Sequence, residues 1–194
     1  AHVPCLLARE CRSSFVIGYG TGVTAGELAA LDSMERVLVS EISSGVLRAA
    51  PLFDYGNQGA SVSPKVETLR SDAYRALSRS EERFDVIASE PSNPWMSGVE
   101  MLFSREFLTA ARDRLRPGGV YAQWMHAYET DDATLELVVR TYASVFDRVS
   151  VWFTLGPDLL LLGFQDPDVR IELETLAERM ARPDYAAGLA RSEV

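Results

Sequence analysis

The feature that most restricts the fold is a repeated alternation of short β-branched runs with helical patterns. Phe15-Val16-Ile17-Gly18 and Arg36-Val37-Leu38-Val39-Ser40-Glu41 are apolar runs of the kind found in parallel strands buried on both faces. Between them Val23, Leu28 and Leu31 fall near helical spacing over 24–32, and Thr24 with Glu27 three residues on predicts a capping pair. Further strands are predicted at 65–70, 84–89, 120–124, 149–154 and 159–164, and helices at about 43–50, 72–79, 104–115, 131–146 and 171–181. Such alternation dictates a mainly parallel sheet with helices on both faces. The rhythm breaks once: Leu155-Gly156-Pro157-Asp158 is too short for a crossover helix, so the last two strands must form an antiparallel hairpin. The expected fold is α/β, a Rossmann-like seven-stranded mainly parallel sheet with a C-terminal antiparallel hairpin. It forms one domain over 1–194, with its core at 12–165 and a final helix at 171–181.

Composition narrows the function classes. An apolar fraction of 47% with 24% charged residues belongs to a globular chain and excludes disordered and fibrous classes. Nineteen basic against 28 acidic residues give a net charge of −9, which repels a phosphate backbone but suits small cationic ligands, so no nucleic-acid partner is expected. No apolar run approaches the roughly 20 residues of a membrane helix. The opening Ala1-His2-Val3-Pro4 carries no secretory signal and reads as processed or cut from a longer chain, and a reducing, cytoplasmic setting is expected. Cys5 and Cys11, with no third or fourth partner, are expected to be reduced and buried. With only His2 and His126 as imidazoles, no metal site is expected.

In an open α/β sheet, ligands bind beyond the carboxyl ends of the strands, so the loops there are the candidates. Gly18-Tyr19-Gly20-Thr21-Gly22 follows the first strand; Gly18, Gly20, Thr21 and Gly22 can bring backbone close to a ligand at a helix N-terminus. Glu41 ends the second strand 19 residues after Gly22, about where nucleotide-binding folds place a carboxylate for the ribose hydroxyls. No Lys follows the glycines, so a nucleoside without pyrophosphate fits better than NAD or ATP. Asp72 can cap its helix, accept the exocyclic amine of adenine, or do both, with the Ala73 N–H directed at a ring nitrogen. The fourth strand delivers Glu90-Pro91-Ser92-Asn93-Pro94-Trp95, whose two prolines hold side chains in place; Glu90 is the candidate carboxylate at the reacting centre, and Trp95 packs under the loop or lines the substrate pocket. After the fifth strand, Tyr128 and Glu129 are candidates for a cation pocket, and Thr130-Asp131-Asp132 reads as a helix cap.

Ala1-His2-Val3-Pro4, the glycine loop, Glu41, Asp72-Ala73, the strand-four loop, Leu102-Phe103 with Ser104-Arg105-Glu106-Phe107, Arg116-Pro117-Gly118-Gly119 and Gln123 together resemble the spermidine synthase (polyamine aminopropyltransferase) family over about residues 1–165. The wording of Glu90–Trp95 and Gln123-Trp124 is closer to bacterial spermidine synthase-like proteins, some of which carry a membrane-transporter-like portion. The resemblance implies a class I S-adenosylmethionine-methyltransferase-like fold, with decarboxylated S-adenosylmethionine as co-substrate and 5′-methylthioadenosine as product. It places Glu41 on the ribose, Asp72 on the adenine and Glu90 in place of the aspartate that deprotonates or orients the attacking amine. Asn93, Trp95, Gln123, Tyr128 and Glu129 are the candidates for binding the polyamine. Thr21 stands where the family's glycine loop carries an aspartate, Asn93 where a second loop aspartate stands, and the family's N-terminal β domain lies outside these residues. Three readings follow: aminopropyl transfer to a polyamine, methyl transfer from intact S-adenosylmethionine, or a catalytically silent nucleoside-binding domain. A homodimer stays open, as does a cytoplasmic chain or the soluble part of a larger membrane-associated protein.

Overall fold

A computed structural model describes residues 1–90, 98–127, 130–153, 156 and 158–191. In chain order the elements are α1 (His2–Leu7), β1 (Ser13–Ile17), α2 (Val23–Ala29), β2 (Arg36–Glu41), α3 (Ser44–Ala49), β3 (Val66–Arg70), α4 (Ala73–Arg79), β4 (Phe84–Ser89), α5 (Arg105–Asp113), β5 (Leu115–His126), α6 (Asp132–Val145), β6 (Arg148–Phe153), β7 (Asp158–Phe164), α7 (Leu173–Met180) and α8 (Pro183–Arg191). The seven strands form one sheet in the order β3-β2-β1-β4-β5-β7-β6, parallel except for β7, which runs antiparallel to both β5 and β6. Strand order therefore reverses between β1 and β4, where the first crossover series ends and the second begins.

The sheet divides the core into two layers because successive strand residues face opposite ways. Val16, Val39, Val86 and Val120 face one layer, with Leu28 and Leu31 packed on them. Phe15, Ile17, Ile87 and Tyr121 face the other, against Leu77, Phe107, Leu108 and Tyr142. β5 starts at Leu115, five residues before the predicted strand, because Leu115 pairs with Phe84 across an irregularity that leaves Asp85 between two registers. That bulge tucks Asp85 under the sheet, where its Oδ2 accepts from the N–H groups of Arg12 (2.9 Å) and Ser13 (2.8 Å) and from Ser13 Oγ (3.1 Å).

Three further features depart from the sequence reading. Cys5 and Cys11 are buried as expected but are joined in a disulfide: the turn after α1 brings their Cα atoms to 5.2 Å, inside the range a disulfide spans. The final helical region is a pair, α7 and α8, and both pack back on α1, a helix the apolar pattern of so short a segment did not signal. Thr24 is not the cap of α2; Gly22 is, and Thr24 lies inside the first turn with its hydroxyl turned elsewhere.

Candidate active site

Register places the candidate loops in one row. Ile17 pairs with Ser40 on one side and Ser89 on the other, so Gly18, Glu41 and Glu90, each one residue further on, leave the sheet side by side. Glu41 itself pairs with Arg70, which sets Ser71 and Asp72 next in the row, and Ser89 pairs with Gln123 at the far side. At about 4.8 Å per strand, the row from β3 to β4 covers roughly 14 Å, the length of a nucleoside with a short side chain.

The glycine loop has the conformation its residues permit. Gly18, Gly20 and Gly22 have φ of +83°, +54° and +80°, a region where a Cβ is disfavoured. A Cβ at Gly18 or Gly20 would meet nothing within 4 Å, so the outer face of the loop is open to a ligand. Its inner face is latched by Asn57, a buried residue that sequence reasoning missed. Asn57 Nδ2 donates to the Thr21 carbonyl (2.8 Å), and its Oδ1 accepts from the Ala60 N–H (3.0 Å). Gly26 permits this approach, since a Cβ there would fall 1.7 Å from the Asn57 carbonyl oxygen. The only signal in the sequence is the turn-forming run Gly56-Asn57-Gln58-Gly59.

Glu41 is buried, and its partners are both main-chain donors: Oε2 accepts from the Tyr19 N–H in the glycine loop (2.9 Å) and Oε1 from the Ser43 N–H (2.6 Å). The two bonds aim the carboxylate, and each oxygen retains a lone pair for a ligand hydroxyl. Asp72 caps α4 by accepting from the Arg75 N–H (2.9 Å) and stays exposed, while the Ala73 N–H in the first helical turn has no intrahelical acceptor. Capping and a position in the row therefore coincide at Asp72. Glu90 is exposed at the end of β4, and its Oε1 accepts a hydrogen bond from the Thr24 hydroxyl, the interaction that occupies the side chain expected to cap α2. Among the described residues, Glu41, Asp72 and Glu90 form no ion pair with a basic side chain, and the Ala1 α-amino group interacts electrostatically with Glu90.

Gln123 is not brought to the row's surface. It is fully buried on the β5 face that carries Tyr121, where Oε1 accepts from the Tyr142 hydroxyl and Nε2 donates to the Leu102 carbonyl (3.4 Å). These partners tie β5 to α6 and to the segment before α5. Asn93, Trp95, Tyr128 and Glu129 lie outside the described residues. Asp131 caps α6 as predicted, accepting from the Thr134 N–H (2.6 Å), and that bond holds its carboxyl below the usual carboxylate range. Beyond Gln123, His126 Nδ1 lies 2.6 Å from Asp158 Oδ1 and joins the end of β5 to the start of β7. No cluster of three or more metal-ligating side chains occurs among the described residues, and no helix among them is long and apolar enough to cross a membrane.

The chain is 37% identical over 120 residues to polyamine aminopropyltransferase 1 of Pseudomonas aeruginosa, covering 61% of this chain and 42% of that protein. It is 30% identical over 162 residues to polyamine aminopropyltransferase 2 of the same organism, covering 81% of this chain and 46% of that one. The chain thus spans less than half the length of these two relatives. Among solved structures, a spermidine synthase in complex with the transition-state analogue AdoDATO superposes with a TM-score of 0.77 at 22% identity, over 98% of this chain and 73% of that one. Human methyltransferase-like protein 13 in complex with SAH superposes with a TM-score of 0.75 at 19% identity, over 96% and 86%. Both share the class I methyltransferase-like fold. The spermine/spermidine synthase domain model matches residues 1–164, all seven strands included, and the chain belongs to the spermine/spermidine synthase family.

Proposed function

We propose that the chain binds an adenosyl-sulfonium nucleoside across the β3–β4 row and transfers its aminopropyl group to a polyamine amine. The observation that carries this reading is the row itself: three carboxylates that, among the described residues, pair with no basic side chain flank a glycine loop whose outer face is open. Order along the sheet assigns the parts. Asp72 and the Ala73 N–H take adenine, Glu41 takes the ribose hydroxyls, and the backbone of Gly18, Gly20, Thr21 and Gly22 passes beside the sulfonium. The acceptor amine then approaches from the β4 side, over Glu90, with Asn93, Trp95, Tyr128 and Glu129 as further candidates for its surroundings. Membership of a family whose matched relatives are polyamine aminopropyltransferases supports the reaction class.

A free alkylammonium has a pKa near that of Lys, about 10.4, and only the neutral amine attacks. Glu90 holds the ammonium and accepts its proton. The amine nitrogen forms a bond to the propyl carbon beside sulfur, the carbon–sulfur bond breaks with its electron pair moving to sulfur, and neutral methylthioadenosine leaves. Positioned general-base action of this kind contributes typically about 10²–10⁴-fold. Thr24 acts through Glu90, holding the carboxylate with its hydroxyl.

Thr21 favours one other reading. An aspartate there would repel the carboxylate of intact S-adenosylmethionine, whereas a threonine does not, so methyl transfer competes. Incubation with decarboxylated S-adenosylmethionine and a panel of diamines, with mass spectrometry of products, separates the two. The proposal expects methylthioadenosine and an aminopropylated amine, lost in Glu90→Gln while nucleoside affinity stays within a few fold. Turnover that survives Glu90→Gln, or a parent that yields only methylated products from S-adenosylmethionine, contradicts it.

A further inference from the structure

At the amino end of the sheet, opposite the glycine loop, a cavity of about 250 Å³ opens on both Cys5 and Cys11. The two half-cystines are nearly buried from bulk water, at 2% and 6% exposure, yet they form part of the cavity wall. Four arginines line the same space, Arg9, Arg12, Arg179 and Arg182, against a single acidic residue in the lining, Glu10. In a chain of net charge −9 this local excess of cations runs against the composition.

Three of the four arginines also reach carboxylates beyond the lining: Arg9 to Asp166 (3.0 Å), Arg12 to Glu35, and Arg182 to Asp184 (3.1 Å). Arg179 instead donates to the carbonyls of Leu6 (2.7 Å), Ala8 (2.6 Å) and Arg9 (3.1 Å), within the loop the disulfide closes. Its charge forms no ion pair with a carboxylate among the described residues; the four arginines are matched in number by Glu10, Asp166, Glu35 and Asp184, but the last three lie outside the lining, so arginines outnumber carboxylates on the wall beside the sulfur atoms.

We propose that Cys5–Cys11 is a thiol-exchange site for an anionic low-molecular-weight thiol of the glutathione type. Its thiolate attacks one cystine sulfur, the sulfur–sulfur bond breaks, and the electron pair leaves on the other cysteine as a thiolate. A second molecule of the same thiol attacks the mixed disulfide, releasing the second protein thiolate and the oxidised small thiol. The two protein sulfurs gain two electrons and, on protonation, two protons. Neighbouring guanidinium groups lower the pKa of the departing thiolate, which speeds its departure, and draw in an anionic attacker. A disulfide that serves only structure resists reduction by a glutathione pool; one that exchanges with it is regulatory. In the reduced chain Arg179 would still tie the loop to α7.

Alkylation and intact-mass measurement of the purified chain, before and after equilibration with glutathione buffers, test this. The proposal expects no alkylatable cysteine at the start and two after glutathione. It expects reduction by glutathione at least about tenfold faster than by cationic cysteamine once each rate is corrected for thiolate fraction, a preference that high salt reduces. Arg12→Gln and Arg182→Gln should each slow glutathione several fold and leave cysteamine unchanged. Cys5→Ser should leave Cys11 able to form a mixed disulfide with oxidised glutathione. Two free cysteines in the starting protein, resistance to glutathione at every ratio, or equal rates for the two thiols would overturn it.

Discussion

The two ends of the one sheet treat their carboxylates in opposite ways. At the amino end Asp85 is buried and meets two N–H groups, a hydroxyl and, at 3.5 Å, the Arg116 guanidinium. Around it Glu35 pairs with Arg12, and Glu67 and Glu82 both pair with Arg36. At the carboxyl end Glu41, Asp72 and Glu90 accept bonds from N–H and O–H groups alone among the described residues. Charge at one end is spent inside the protein. At the other it is left facing a loop held open by glycines, which is what a site for a cationic ligand requires.

The sharpest way to break this contrast is to remove one carboxylate from each end. Asp85→Ala strands the N–H groups of Arg12 and Ser13 in the interior and should cost about 3 kcal/mol of stability, read as a lower urea midpoint. Nucleoside affinity of the folded protein should be unchanged. Glu41→Ala should do the reverse: it leaves two ligand hydroxyls without a partner and weakens nucleoside binding by about 10- to 100-fold in calorimetry, or about 1–3 kcal/mol. If Asp85→Ala weakens the ligand more than Glu41→Ala does, the division of labour between the ends is wrong.

Gly20→Ala sharpens the contrast at smaller scale. At φ +54° the substitution should cost about 1 kcal/mol in stability and place a methyl on the open face of the loop, so affinity should fall more than stability does. An alanine that binds nucleoside as well as glycine would show that the open face is not the ligand's.

The smallest effect concerns His2, buried against Glu27 (3.4 Å) and beneath Gly188 of α8. Burial lowers its pKa below the ordinary value of about 6.5. A base whose folded pKa is depressed stabilises the fold above its unfolded pKa, and that contribution is lost as pH falls through the folded value. The chain should therefore lose stability on acidification below about pH 6.5, and His2→Gln should flatten the slope there. An unchanged slope would remove His2 as its source.

How much of this was legible follows from the residues. β2 and β4 match their predicted bounds, because each carries a continuous apolar stretch, 37–39 and 86–88, closed within a few residues by an acid or by the proline loop. The glycine loop, Glu41 and Asp72 were readable because strand ends and helix starts have local signatures. Thr24, Asn57 and Gln123 were not. Their roles depend on what the fold brings beside them: Glu90 from 66 residues away, the carbonyl of Thr21 beside Gly26, and the hydroxyl of Tyr142. In a strand buried on both faces no polar alternation tells which face a residue takes, so Gln123 could not be assigned to the interior from its neighbours. The disulfide likewise depends on the turn after α1, which two cysteines in sequence do not specify.

Whether the carboxyl end of the sheet holds a cationic nucleoside is decided by calorimetry on the parent protein. Decarboxylated S-adenosylmethionine, neutral methylthioadenosine and ATP are titrated under one set of conditions. The sulfonium cation should bind tightest, methylthioadenosine more weakly, and ATP, whose phosphates meet the carboxylates of the row, not measurably at millimolar concentration. ATP binding as well as the sulfonium would contradict it.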